Sequence, residues 1–170
     1  EYVDKTSSIP LINATLNSAR RYSCVTRCRR FGKSMAAKML RAYYDKSCDS
    51  LELFVGLKAE QDKTFETYLN KYNVLYLDVT SFTARPELRV NIVRNIQNEI
   101  IYELKEAFPD VKYKENSDLM DTLAAIHAAT GEKFFFIIDE WDAICREFPG
   151  RQKMKGDPET VTPTIMDEYV

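Results

Sequence analysis

Apolar residues change their spacing several times along the chain, and each change predicts an element. Ser7 or Ser8 opens a short amphipathic helix over 6–19, with Pro10 in its first turn and Leu11, Ile12 and Leu16 on one face. A short apolar strand follows at 22–26. From Lys33 the period becomes helical, with Met35, Met39, Leu40 and Tyr43 recurring on one side. Residues 51–70 are polar and mixed, which predicts helical turns on the surface. The nearly unbroken apolar run at 73–79 predicts a strand buried on both faces of a parallel sheet.

A long helical stripe begins at Pro86 and runs through Leu88, Ile92, Val93, Ile96, Ile100 and Leu104, ending at Phe108-Pro109. Ser117 caps a shorter helix carrying Leu119, Leu123 and Ile126, which Gly131 stops. The apolar residues from Phe134 to Ile138 then lead as a strand into Asp139-Glu140. Strands alternating with helices predict a three-layer α/β domain with a mostly parallel sheet. Residues 148–163, rich in Pro, Gly, Lys and Thr, read as a mobile loop, and Thr162-Pro163 as a helix start close to the chain end. The expectation is one domain over 1–170, incomplete at its C-terminal side.

Composition narrows the function classes. A chain of 170 residues, 45% hydrophobic, is long enough for one sizeable core. A net charge of −2 argues against a dedicated nucleic-acid binder. No apolar run is long enough to predict a membrane span. Cys24, Cys28, Cys48 and Cys145 lack paired metal-ligand spacing, and His127 is the single histidine, which speaks against zinc and for a reduced, cytoplasmic protein. The chain begins at Glu1 rather than Met, so its start reads as cut. Cys28, among Arg27, Arg29 and Arg30, is the thiol whose surroundings would favour the thiolate if it is exposed.

The chemistry concentrates at two places. The first is the strand–loop–helix order from Tyr22 to Ser34, ending in Gly32-Lys33-Ser34. Such a loop cradles phosphates with backbone N–H groups and a helix N-terminus, while the lysine reaches the β- and γ-phosphates and the hydroxyl holds Mg²⁺. Arg29, Arg30, Phe31, Gly32, Lys33 and Ser34 are the candidate ATP-binding residues. Arg27 stands where the pattern G-x-x-x-x-G-K-[ST] has its first glycine. The second place is Asp139-Glu140, where Asp139 with Ser34 would hold Mg²⁺ and Glu140 would orient the attacking water. The plain alternative is that this acid pair caps the next helix. Three readings compete for the basic run around Arg27, Arg29 and Arg30: neutralising a triphosphate, a nucleic-acid patch, or a solvated loop; the first fits the acidic remainder best. Asp78 reads as a turn cap before a metal contact, Trp141 as packing, and His127 as non-catalytic.

The segment Thr26-Arg27-Cys28-Arg29-Arg30-Phe31-Gly32-Lys33-Ser34 resembles the T-R-P-R-R-F-G-K-S signature of bacterial AAA-ATPase-like proteins. Tyr2-Val-Asp-Lys-Thr6, Glu52-Leu-Phe-Val-Gly-Leu-Lys58 and Phe136-Ile-Ile-Asp-Glu-Trp-Asp142 are similar to the same family. The resemblance accounts for Arg27, because such proteins lack the first glycine; Cys28 departs from the family's proline. It implies a P-loop ATPase of the additional-strand class, in which another strand lies between the phosphate-loop strand and the acidic one. No candidate for that strand precedes Val170, so the resemblance implies an N-terminal portion. Family members often carry a C-terminal nuclease-like domain. The function implied is an ATP-binding, Mg²⁺-dependent ATPase; the alternative is a non-catalytic nucleotide-sensing module that switches contacts with a protein partner.

Overall fold

The computed structural model describes residues 3–26, 31–89 and 91–147. The basic cluster at 27–30, the expected loop at 148–163 and the expected helix start after it lie outside the described residues. The backbone divides into two compact units, residues Glu1–Leu77 with Glu132–Asp139, and residues Asp78–Gly131 with Glu140–Val170.

The first unit contains helices α1 (Ser8–Asn13), α2 (Lys33–Tyr44) and α3 (Phe65–Tyr68), with strands β1 (Asn73–Asp78, its last residue opening the second unit) and β2 (Phe134–Asp139). The strands pair in parallel, and α2 packs against β2. The described residues therefore show mixed helix and strand with a small parallel sheet, compatible with the α/β class.

An aromatic cluster forms the core of this unit. Tyr43 and Tyr44, both fully buried, meet edge to face at 4.7 Å, and Tyr44 stacks on Phe135 of β2 at 4.1 Å. Phe54, Phe65 and Tyr72 complete it, with Ile9 from α1. Burying two phenols requires partners for their hydroxyls. Asn13 supplies the link: its Oδ1 accepts from the Tyr44 hydroxyl at 2.7 Å, and its Nδ2 donates to the Tyr43 hydroxyl at 3.1 Å. The Tyr43 hydroxyl in turn donates to the Phe65 carbonyl at 2.7 Å.

The C-terminal end of α2 is tied to the approach to β1. Asn70 adopts a left-handed φ of 53° and donates its side-chain amide to the carbonyls of Ala42 and Asp45, groups a helix end leaves without intrahelical donors. Its own N–H donates to the Tyr43 carbonyl at 2.7 Å, and the Tyr72 N–H to that of Tyr44 at 2.9 Å.

Several sequence expectations need correction here. Residues 22–26 are irregular and not a strand; Tyr22 is 83% and Val25 57% exposed. Among the described residues no strand pairs with this segment, and an unpaired strand has no ladder to hold it. The helix expected over 6–19 is regular only from Ser8 to Asn13 and buries Ile9 and Asn13, leaving Leu11 exposed. Residues 51–70 do form short turns, including 3₁₀ turns at Leu51–Phe54 and Lys58–Gln61, yet Phe54, Ala59 and Phe65 lie in the core. Propensity identified the turns, and tertiary packing decided their burial. Strand β1 is half-buried along its length rather than covered on both faces.

The second unit contains α4 (Thr80–Thr83), α5 (Ile92–Ala107), α6 (Leu119–Thr130) and α7 (Ala143–Glu147). Helix α5 packs on α6, and α4 on α5 and α7. Ile92, Ile96 and Leu104 of α5 and Ile126 of α6 are buried, as the helical stripes require. The stripe from Pro86 is not one helix, however. Pro86–Leu88 is a 3₁₀ turn, and Asn91 with φ 55° separates it from α5. Asp78 turns the chain out of β1, its Oδ1 accepting from the Thr80 N–H and hydroxyl at 3.0 and 2.6 Å, as a capping residue does. Asp118, not Ser117, caps α6 by accepting from the Asp121 N–H at 2.7 Å. Gly131, φ 72°, ends α6 in the left-handed conformation glycine adopts without strain.

Two predictions arise from the aromatic core. Asn13→Ala should leave the buried Tyr44 hydroxyl without its acceptor and lower stability by about 1–3 kcal/mol, read from urea unfolding. Burial pushes the Tyr43 phenol up to about 12 and the Tyr44 phenol higher still. An unfolded tyrosine ionises near ~10, so the unfolded chain sheds these protons first. The stability contributed by the neutral phenols is complete below that pH and declines as pH rises through about 12. Unfolding midpoints against pH should turn downward above roughly 10, and less steeply in Tyr43→Phe.

Candidate functional site

Helix α2 begins at Lys33, immediately after Gly32, whose φ of 73° is left-handed. A β-carbon at position 32 would stand 2.6 Å from the Lys5 ammonium nitrogen, so glycine answers both a backbone and a space requirement. The N-cap has no side-chain hydrogen bond and the first turn no acid, leaving the positive end of the helix dipole uncompensated by a carboxylate there. Lys33 and Ser34 are the first two residues of this turn. Lys5 Nζ donates to the Phe31 carbonyl at 2.5 Å, and the Phe31 ring is 61% exposed. Of the other expected loop residues, Arg29 and Arg30 lie outside the described residues.

Asp139 closes β2 and is 8% exposed. Its Oδ2 accepts from the Tyr76 hydroxyl of β1 at 2.9 Å. The Arg41 guanidinium of α2 lies over the Tyr76 ring, 5.7 Å from its centre, and 3.8 Å from the Asp45 carboxylate. Because α2 packs against β2, the helix that starts at Lys33-Ser34 and the strand that ends at Asp139 belong to one unit.

Glu140 belongs to the second unit and holds φ 53°, an uncommon conformation for a residue with a long side chain. Its carboxylate pairs with Arg146 at 2.8 Å, and Arg146 also donates to Asp142 at 2.6 Å. Hydrogen bonds to Asp142 and then Glu140 raise the Arg146 guanidinium above its ordinary range. The Ala143 N–H donates to the Glu140 main-chain carbonyl at 2.8 Å, which ties Glu140 to the start of α7. Trp141 is 48% exposed and His127 is exposed. Among the described residues no group of three or more His, Cys, Asp or Glu side chains is arranged to hold a metal ion, and no helix is long and apolar enough to cross a membrane.

A family model described as "Predicted AAA-ATPase" matches residues 1–163. The chain belongs to this AAA-ATPase-like family. No curated protein and no solved structure matches the chain. Membership of an AAA-ATPase-like family carries nucleotide binding at a coarse level.

Sequence reasoning assigned no role to Lys5, Tyr76 or Arg146. Lys5 is separated from Phe31 by 26 positions and Tyr76 from Asp139 by 63, distances no local pattern bridges. The one local signal was at Arg146, four residues after Asp142, the spacing of a helical ion pair.

In this AAA-ATPase-like chain Gly32→Ala should cost about 1–2 kcal/mol, because the left-handed backbone is strained for any β-carbon. The Lys5 ammonium can swing aside, so the steric part is small. The urea midpoint checks it, with Gly131→Ala at a similar φ as a comparison far along the chain.

Proposed function

We propose that the chain is an ATP-binding, Mg²⁺-dependent P-loop ATPase module with the three-layer α/β fold. The observation that carries the reading is the left-handed Gly32 delivering Lys33 and Ser34 to the acid-free first turn of α2, in a chain of the AAA-ATPase-like family. A helix N-terminus with a lysine and a hydroxyl is suited to a polyphosphate. Lys33 binds the β- and γ-phosphates, and Arg29, Arg30, Phe31 and Gly32 complete the loop. A magnesium ion bound with the nucleotide would neutralise phosphate charge, and such an ion needs only one or two protein oxygens. Ser34 and Asp139 are the residues that would hold it; the hard oxygen donors fit that ion, and the buried Asp139 carboxylate is already oriented by Tyr76. Glu140, the next residue, orients and polarises the attacking water.

A specific observation favours a second reading. The Glu140 carboxylate is held by Arg146, as suits a nucleotide-sensing module that binds ATP, does not turn it over, and switches contacts with a protein partner.

Two substitutions decide between them. Lys33→Ala should weaken ATP binding at least roughly tenfold by titration calorimetry, since a charge-assisted contact is lost; unchanged affinity refutes both readings. Glu140→Gln should keep the affinity and slow ATP hydrolysis by about 10²–10⁴-fold if the residue acts on water. An ATP turnover that is negligible before the change and unaltered by it supports the sensing module.

A further inference from the structure

The tripeptide Asp4-Lys5-Thr6 is fixed on both sides of its lysine. Asp4 Oδ1 accepts from the Thr6 N–H at 2.8 Å and the Thr6 hydroxyl at 2.7 Å, while its Oδ2 accepts from the Lys58 N–H at 3.0 Å. Thr6 is fully buried, and its hydroxyl oxygen accepts from the Ala59 N–H at 3.1 Å. The hydrogen bonds to Asp4, from Thr6 first and then Lys58, hold its carboxyl below the usual carboxylate range. The Lys5 carbonyl accepts from the Ser8 N–H and hydroxyl at 3.1 and 3.0 Å, so α1 starts from it as well. The backbone of residues 4–6 is thus anchored to 58–59 and to α1.

The lysine itself is turned toward the entry of α2. Its ammonium reaches the Phe31 carbonyl, one residue before Gly32, and occupies the space that a side chain at 32 would take. An ammonium carries three N–H donors. One goes to the Phe31 carbonyl, its one acceptor among the described residues, and the side chain is exposed, which leaves two for a ligand. A lysine buried for packing would not end this way, two residues from Lys33 along the loop.

We propose that Lys5 is a second phosphate-binding lysine of this site: it clamps the loop through the Phe31 carbonyl and gives its remaining donors to the polyphosphate of the nucleotide. The inference rests on the nucleotide reading of Gly32-Lys33-Ser34 and adds to it a residue from the segment that leads into α1. Gly32 is then required by the ligand as well as by the backbone, since any side chain there would displace the ammonium.

The test uses calorimetric titration of the full chain with MgATP and with AMP, in Lys33→Ala, Lys5→Met and Lys5→Gln, with urea unfolding of each. Lys5→Gln keeps a neutral donor for the Phe31 carbonyl and removes the charge. The expected result is that both Lys5 variants lose roughly tenfold to a hundredfold in ATP affinity, the size of one charge-assisted hydrogen bond. AMP affinity and the unfolding midpoint of Lys5→Gln should hardly change. Equal losses for ATP and AMP, full recovery of ATP affinity in Lys5→Gln, or no loss in either variant overturns the proposal and leaves Lys5 a clamp on the loop. If Lys33→Ala also leaves ATP affinity intact, the nucleotide reading falls and this inference with it. A loss in Lys33→Ala alone overturns only the role of Lys5.

Discussion

The Asn13 side chain, shared between the Tyr43 and Tyr44 hydroxyls, is the constraint on which the first unit turns. Two adjacent phenols can be buried at the end of α2 only if both hydroxyls are satisfied, and one amide from α1 does this with its two ends. With those rings seated, the stacking of Tyr44 on Phe135 places α2 against β2. The rotation of α2 about its axis is thereby set, and with it the direction of the first turn that carries Lys33 and Ser34. Asn70 adds the second restraint, closing the last carbonyls of α2 and leading directly into β1.

The two acids at the end of β2 live under different regimes. Asp139 is buried, and its carboxylate accepts from the neutral Tyr76 hydroxyl. Glu140 is turned by a left-handed backbone and paired with a cation. Backbone strain of this kind costs of order 1–3 kcal/mol and persists where the surroundings enforce it. Neighbours in sequence, they sit in different environments.

How far the sequence could be read depended on the range of the forces involved. Local rules placed the start of α2, the ends of α5 and α6 and the course of β2, because glycine conformation, proline and apolar period act over a few residues. The same rules misjudged residues 22–26, since five apolar-leaning residues make a strand only beside a partner, and the described residues provide none. They also left Phe54 and Phe65 on the surface, because the apolar residues of 51–70 follow neither a helical nor a strand period, and the burial of these two rings depends on distant partners such as Tyr43. Gly32, Lys33, Ser34, Asp139 and Glu140 were visible as motif residues; Lys5 and Tyr76, which bond to Phe31 and Asp139, lie far from them in sequence, whereas Arg146 follows Glu140 closely.

Helix α2 spans about 18 Å at the usual rise per residue. Its two ends are unlike: Lys33 and Ser34 stand in the first turn, the buried aromatic anchors in the last. Such a division makes the helix a lever with a fixed end. The aromatic end holds the helix in the core, so a substitution confined to the first turn leaves that packing in place.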